Sequence, residues 1–184
     1  MSIFLTISNI ENDENLHLGR LLILLEAFKN KSAKIDSFSK LAELDFLLRY
    51  PLYLERAIPA RGRSLKVSNV DVTDYERYSI ESMTVAYNHR PWDDQYRRFI
   101  KILLAKNLIY IEIDEKNFHF SLTTKGHEIA SCLSRMDAYS TVEKRAIILK
   151  KDFNLSSDRL IKFLYETFPE LGIFSTAEGV SHEN

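Results

Sequence analysis

Between Trp92 and Met136 the spacing of apolar residues changes period, and that change restricts the fold more than any other feature of the chain. Tyr96, Phe99, Ile100, Leu103 and Leu104 recur at i, i+3, i+4, i+7 and i+8, the spacing that gathers side chains onto one face of a helix. A helix is therefore predicted from about Asp93. Beyond Asn107 the period becomes two, with Ile109, Ile111 and Ile113 on one face and Tyr110, Glu112 and Asp114 on the other, as in a half-buried strand. The polar run Asp114, Glu115, Lys116, Asn117 reverses the chain into Phe118, Phe120 and Leu122, alternating with His119 and Ser121, which makes a hairpin. Thr123 or Thr124 can cap the next helix by accepting from its orphan backbone N–H groups, and Ile129, Leu133 and Met136 give that helix a buried stripe.

Helix, two-stranded wing, helix is the second half of a winged helix-turn-helix. The predicted fold is mostly α with a small β wing, a winged helix-turn-helix with additional helices. Residues 1–60 leave room for a degenerate first copy, so a tandem winged helix is the alternative. In 184 residues, 45% are hydrophobic and 28% charged, with only 5 Gly and 4 Pro, which describes a folded, helix-rich protein. The expected organisation is an N-terminal arm (1–14), a winged-helix domain over 15–171 with an insertion at about 60–91, and a flexible tail (172–184).

Along the domain, Leu18, Leu21, Leu22, Leu25 and Phe28 form the main stripe of a first helix. Ile23 and Leu24 fall outside that stripe, which places the helix centrally in the core or at a subunit contact. Asp36 or Ser37 caps the next helix. Pro51 lacks a backbone N–H and restricts Tyr50, so helix stops near Arg49 and restarts at Pro51; Pro59 and Gly62 then end regularity. Ser68 to Thr73 reads as an edge strand, Thr73 or Asp74 as a cap, and Met83 to Tyr87 as a short strand placed to be the third of the wing sheet. After Met136, Val142, Ala146, Leu149 and Phe153 mark one helix, and Leu160, Phe163, Leu164 and Phe168 another, capped by Ser156 or Ser157 and stopped at Pro169.

The residues offer little for catalysis. His17, His89, His119, His127 and His182 show no H-E-x-x-H spacing, and His119 sits on the polar face of its strand. No phosphate-cradling G-x-x-x-x-G-K-[ST], dinucleotide G-x-G-x-x-G or nucleophile-elbow G-x-S-x-G occurs. Asp93 and Asp94, at a helix start, read as cap and dipole partners rather than as an acid–base pair. Cys132 is the only cysteine, which excludes an internal disulfide and a cysteine-based zinc cluster; its flanks suggest a core thiol. No catalytic, cofactor or metal site is expected, and the chain is read as a non-enzyme. The N-terminus lacks a basic n-region and Leu21 to Leu25 falls far short of the ~20 residues that cross a bilayer, so no membrane contact is expected and a reducing cytoplasm fits.

Binding is the remaining chemistry. Lys plus Arg total 25 against 26 Asp plus Glu, a formal net charge of -1, so a nucleic-acid contact would have to come from a local patch and a protein partner is favoured. Two patches qualify. Arg56, Arg61, Arg63 and Lys66 supply four cations to a stretch without an acid around Pro59 and Gly62. On the helix starting near Asp93, Arg98 and Lys101 point away from the apolar face, with Arg97 at its margin and Ile102 on the flank of the exposed side, where an apolar residue prefers a partner. Arg90 and Trp92 lie in the turn that leads into this helix. Only Gln95 offers the amide that base-reading helices commonly present.

The phrases LAELDFLLRYPLYLERAI, NHRPWDDQYRRFIKILLAKNLIYIEI, FSLTTKGHEIA and LIKFLYETFPEL resemble the middle-component proteins of bacterial ABC-three-component systems, including the small subunit of Lamassu anti-phage defence. The resemblance covers roughly residues 15–171; Leu44 to Pro51 and the final F-P-E are its more particular parts. It implies a non-catalytic adaptor, similar to the winged-helix accessory subunits of SMC complexes, that joins an SMC-like coiled-coil ABC ATPase to an effector subunit, often a nuclease, and reaches DNA through the complex. On that resemblance Asp45, Arg49, Arg56 and Arg90 through Arg98 would be contact or scaffold residues. A winged-helix transcription regulator, reading DNA with Arg97 and Arg98, is the alternative.

Overall fold

A computed structural model describes residues 14–30, 33–63, 70–78, 94–114 and 117–172. The helices are α1 (Glu14–Ala27), α2 (Phe38–Arg49), α3 (Pro51–Ala60), α4 (Asp74–Tyr78) and α5 (Asp94–Ala105). Strands β1 (Ile109–Asp114) and β2 (Asn117–Leu122) follow, then α6 (Thr124–Ser134), a 3-10 turn at Asp137–Tyr139, α7 (Ser140–Asp152), α8 (Ser157–Thr167) and the short α9 (Pro169–Gly172). The fold is mostly α with one small antiparallel wing, as the change of period at Asn107 requires. Residues 1–13 of the expected arm (1–14), the Met83–Tyr87 strand and residues 173–184 of the expected tail (172–184) lie outside the described residues, and Glu14 opens α1.

Local chemistry sets most boundaries. Ser37 caps α2, its Oγ accepting from Lys40 N at 3.0 Å, and Thr123 caps α6, its Oγ1 accepting from Gly126 N at 3.0 Å. Tyr50, with φ -113 and ψ 80, breaks α2 from α3, and Pro51 opens the latter. Pro59 does not end α3; it sits in the last turn, and the helix closes one residue later. Thr73 caps α4 in a reciprocal arrangement: its N donates to Glu76 Oε2 at 2.9 Å and its Oγ1 accepts from Glu76 N at 3.2 Å. Residues 70–73 are turn and coil rather than the expected edge strand.

α1 and α2 form the centre. Leu18 and Leu21 to Leu25 are all buried, Ile23 and Leu24 as fully as the stripe, because α1 is covered by α6, α7, α5 and the hairpin. α2 is hidden along its length from Ser39 to Leu48, charged residues included. One of these, Lys40, donates to Lys34 O at 2.5 Å, holding the link before α2; burial lowers its pKa, and Asp36 only partly opposes this. The same link presents Ile35 O to Phe120 N at 3.1 Å. Ile35 thus lies along β2, where a third strand would sit.

The wing pairs Ile109 with Leu122, Ile111 with Phe120 and Ile113 with Phe118. Its apolar face is buried only at the base. Ile109, Phe120 and Leu122 are covered, whereas Ile111 is 37% and Ile113 78% exposed. The expectation that the three isoleucines share a buried face is corrected accordingly: the hairpin projects beyond the helices that cover its root. His119 is likewise not on a solvated face. It is 4% exposed, with Nε2 2.5 Å from Glu112 Oε2.

α6 packs through small residues. Gly126 and Ala130 are its buried positions, Ile129 and Leu133 flank them, and Met136 is 48% exposed. A Cβ at Gly126 would lie 2.0 Å from Leu108 O, so only glycine admits this approach to the turn after α5. Cys132 is exposed, against the expectation of a core thiol, because it stands two residues past Ala130 and so on nearly the opposite side of the helix.

Candidate interaction surface

α5 is anchored from behind. Phe99, Ile100 and Leu103 bury its inner face, and Phe99 stacks on His17 of α1 at 5.2 Å between ring centres. Its end is fixed by Asn107, whose φ of 54 allows Leu108 N to reach Leu103 O at 2.9 Å and Asn107 N to reach Leu104 O at 2.9 Å. This double closure with a left-handed residue stops the helix sharply and aims the chain into β1.

A buried polar network joins α5 to both central helices. Asp45 of α2, 1% exposed, accepts from Arg20 Nε at 2.5 Å and from Arg20 Nη2 at 3.0 Å. Tyr96 of α5 donates its hydroxyl to the same carboxylate, and Arg20 Nη2 lies 2.7 Å from His17 Nδ1. Burial alone would raise the Asp45 carboxyl; the Arg20 charge, its two hydrogen bonds and the Tyr96 hydroxyl outweigh this and hold it below the usual carboxylate range. Burial, then the Asp45 charge, pushes the Tyr96 phenol well above its ordinary value, so it remains a donor. A bidentate buried pair of this kind fixes orientation more surely than it adds stability.

The outward face of α5 carries Arg97, Arg98 and Lys101, all exposed. Arg98 pairs with Glu14 at the start of α1. Arg97 and Lys101 have no ion pair among the described residues. Ile102 is half-buried and packs against the core, so it faces its own protein more than the solvated flank expected of it.

The other cationic patch is engaged internally. Arg56 Nη1 donates to Glu170 Oε1 at 2.8 Å, with its guanidinium over the rings of Tyr53 (5.3 Å) and Phe168 (4.8 Å). Arg61 donates to Asp152 O at 3.3 Å and lies 5.6 Å from the Phe163 ring centre. Arg63 pairs with Asp152 at 3.5 Å. These three tie α3 and its end to the C-terminal helices, with the F-P-E phrase receiving Arg56. Lys66, Arg90 and Trp92 lie outside the described residues.

Sequence reasoning missed two features. Arg145 of α7, 2% exposed, donates to Val70 O at 2.9 Å, Asp71 O at 2.7 Å and both Glu76 oxygens at 2.6 and 2.9 Å. The Glu76 carboxyl, which burial would raise, is held low chiefly by that guanidinium. An arginine at a helical position one before the buried Ala146 was the available signal. The second is the exposure of Ile111 and Ile113 on β1, which no residue pattern marks. In a shallow cleft lined by Glu26, Lys29, His127, Glu128, Ser131 and Arg135, Glu26 is bound to Lys29 and His127 at 2.5 Å each. Among the described residues no group of three His, Cys, Asp or Glu could hold a metal ion, and no helix is long and apolar enough to cross a membrane.

The arrangement is therefore a rigidly backed, cationic helix face beside a projecting hairpin. A family model, that of ABC-three component system Middle Component 4, matches residues 27–165, from the end of α1 into α8. No curated protein and no solved structure matches the chain. The match takes in the Asp45 and Tyr96 anchors, the α5 face and the whole wing, and with it the chain belongs to the Middle Component 4 family of ABC-three-component systems.

Proposed function

We propose that the chain is a non-catalytic adaptor of a Lamassu-type defence complex. Its winged-helix platform bridges an SMC-like coiled-coil ABC ATPase and a nuclease-type effector in the cytoplasm. The observation that carries this reading is the contrast between the two sides of α5. Its back is locked by Arg20, Asp45 and Tyr96, while Arg97 and Lys101 face outward with no ion pair among the described residues. Rigid presentation of uncompensated charge suits recognition, because little conformational freedom is lost on binding.

The test is retention of each partner component by the double variant Arg97→Glu, Lys101→Glu. Charge reversal at a docking face is expected to weaken retention of one component at least tenfold, with a steeper loss for the wild type as salt rises. Equal retention by wild type and variant would remove α5 from the interface. The same cations suit phosphate, which favours a second reading, DNA contact within the assembled complex. In that case the variant keeps both protein partners and loses only salt-dependent DNA binding by the complex.

A further inference from the structure

Among the described residues nothing pairs with the outer edge of β1. Phe120 N donates to Ile35 O, so the backbone of Phe120 points away from β1, and its partner across the ladder, Ile111, forms the pair without mutual hydrogen bonds. Ile111 therefore directs its N–H and C=O outward, away from β2. By the two-residue repeat of a strand, Ile109 and Ile113 do the same. Among the described residues the sheet has two strands only, so this row of donors and acceptors has no ladder partner.

Most exposed edges are blunted by a proline, a bulge, a lysine or a covering element. β1 reads IYIEID, pairs in unbroken register and contains neither proline nor lysine. Its side chains reinforce the edge: Ile111 is 37%, Ile113 78% and Tyr110 45% exposed. Beside them Phe118 and Phe120 meet Phe38 in tilted and edge-on contacts, at centroid distances of 5.7 and 5.0 Å. A seated strand would therefore extend an existing apolar surface.

We propose that β1 is a strand-addition site: an extended segment of a partner protein pairs along Ile111 to Ile113, beyond the buried Ile109. The geometry dictates the occupant's pattern. Alternate side chains fall beside Ile111 and Ile113 and are apolar; the intervening ones fall beside Tyr110 and Glu112 and are polar or basic, because Glu112 is a half-exposed carboxylate. The backbone ladder supplies affinity and the two isoleucines supply register. The site deepens the adaptor reading and rests on it, since it names how one partner is held.

The experiment uses the full chain co-expressed with the other two components of its system, as wild type and as Ile111→Pro, Ile113→Lys and Ile113→Val. Proline at 111 removes an N–H that β2 does not use, and lysine at 113 enters a position already open to solvent, so both variants retain the hairpin. Thermal melting checks this. The expected result is at least tenfold weaker retention of one component by Ile111→Pro and Ile113→Lys, wild-type retention by Ile113→Val, and slowed amide exchange at Ile111 and Ile113 in the wild-type complex. Unchanged retention by Ile111→Pro and Ile113→Lys, with those amides still exchanging freely, overturns the inference and leaves the adaptor reading standing. A wild-type chain that retains neither component overturns both. Edge variants that only convert a homodimer to a monomer would assign the edge to a second copy of this chain instead.

Discussion

Asp45 carries a charge at a position with 1% exposure, which is tolerable only because Arg20 and Tyr96 satisfy it. Removing one partner of such a pair leaves an uncompensated charge, so Asp45→Asn is expected to destabilise the chain by on the order of 3 kcal/mol, measured by urea unfolding. A change below about 0.5 kcal/mol would mean that the network is not formed in solution. The pairing also sets an acid limit. Asp45 and Glu76 both have folded-state pKa values below their ordinary ones. The stability they contribute is present above the unfolded carboxylate range near pH 4 and is lost as the pH falls through their folded values. Asp45→Asn should therefore flatten the acid limb of the stability profile; a limb of unchanged slope would reject this assignment. Gly126→Ala tests a different residue-scale constraint. Its added Cβ would lie 2.0 Å from a backbone oxygen, which must displace α6 from the α5–β1 turn at a cost of about 2 kcal/mol, read as a lower melting temperature; a melting temperature equal to wild type would refute the close approach. At this scale the caps were legible in the sequence, because Ser37 and Thr123 act on backbone within three residues. His119, Cys132 and Ile113 were not. Periodicity assigns a face, whereas burial depends on whether a distant element covers it.

Among elements, α4 is held by side-chain contacts rather than by burial: Arg77 pairs with Glu55 of α3 at 3.3 Å, and Arg145 makes the larger set. The helix is five residues long and buries none of them, so its own propensity and core contribution are too small to hold it. Arg145 supplies most of what is missing through four hydrogen bonds spanning Val70 to Glu76. Arg145→Met is expected to release the segment. Limited trypsin digestion should then cut after Arg77 at least tenfold faster, while the protein still unfolds in one cooperative step. An unchanged cleavage rate would show that α4 is held by other contacts. The helices themselves were largely readable: the stripes of α1, α5, α7 and α8, and the break at Tyr50, follow from local spacing and proline chemistry. The contact along β2 was not, because Ile35 makes it by accepting a tertiary hydrogen bond from Phe120 N in a link that has no strand pattern.

At the scale of the whole molecule, α1 and α2 form an interior on which α5, the wing and the C-terminal helices are mounted. The cations of the chain divide accordingly. Arg56, Arg61 and Arg63, read from the sequence with Lys66 as one patch, join α3 to the C-terminal helices, whereas Arg97 and Lys101 have no ion pair among the described residues. Sequence could find both groups but could not separate them, since pairing partners such as Glu170 and Asp152 lie about a hundred residues away. In the proposed adaptor role the chain is the physical link between the two other components of an ABC-three-component system. The direct measurement is native mass spectrometry of the ATPase and effector components, purified with and without this chain. A ternary complex that separates into unlinked ATPase and effector when this chain is omitted is the predicted result. An ATPase–effector complex that forms equally well in its absence would contradict it.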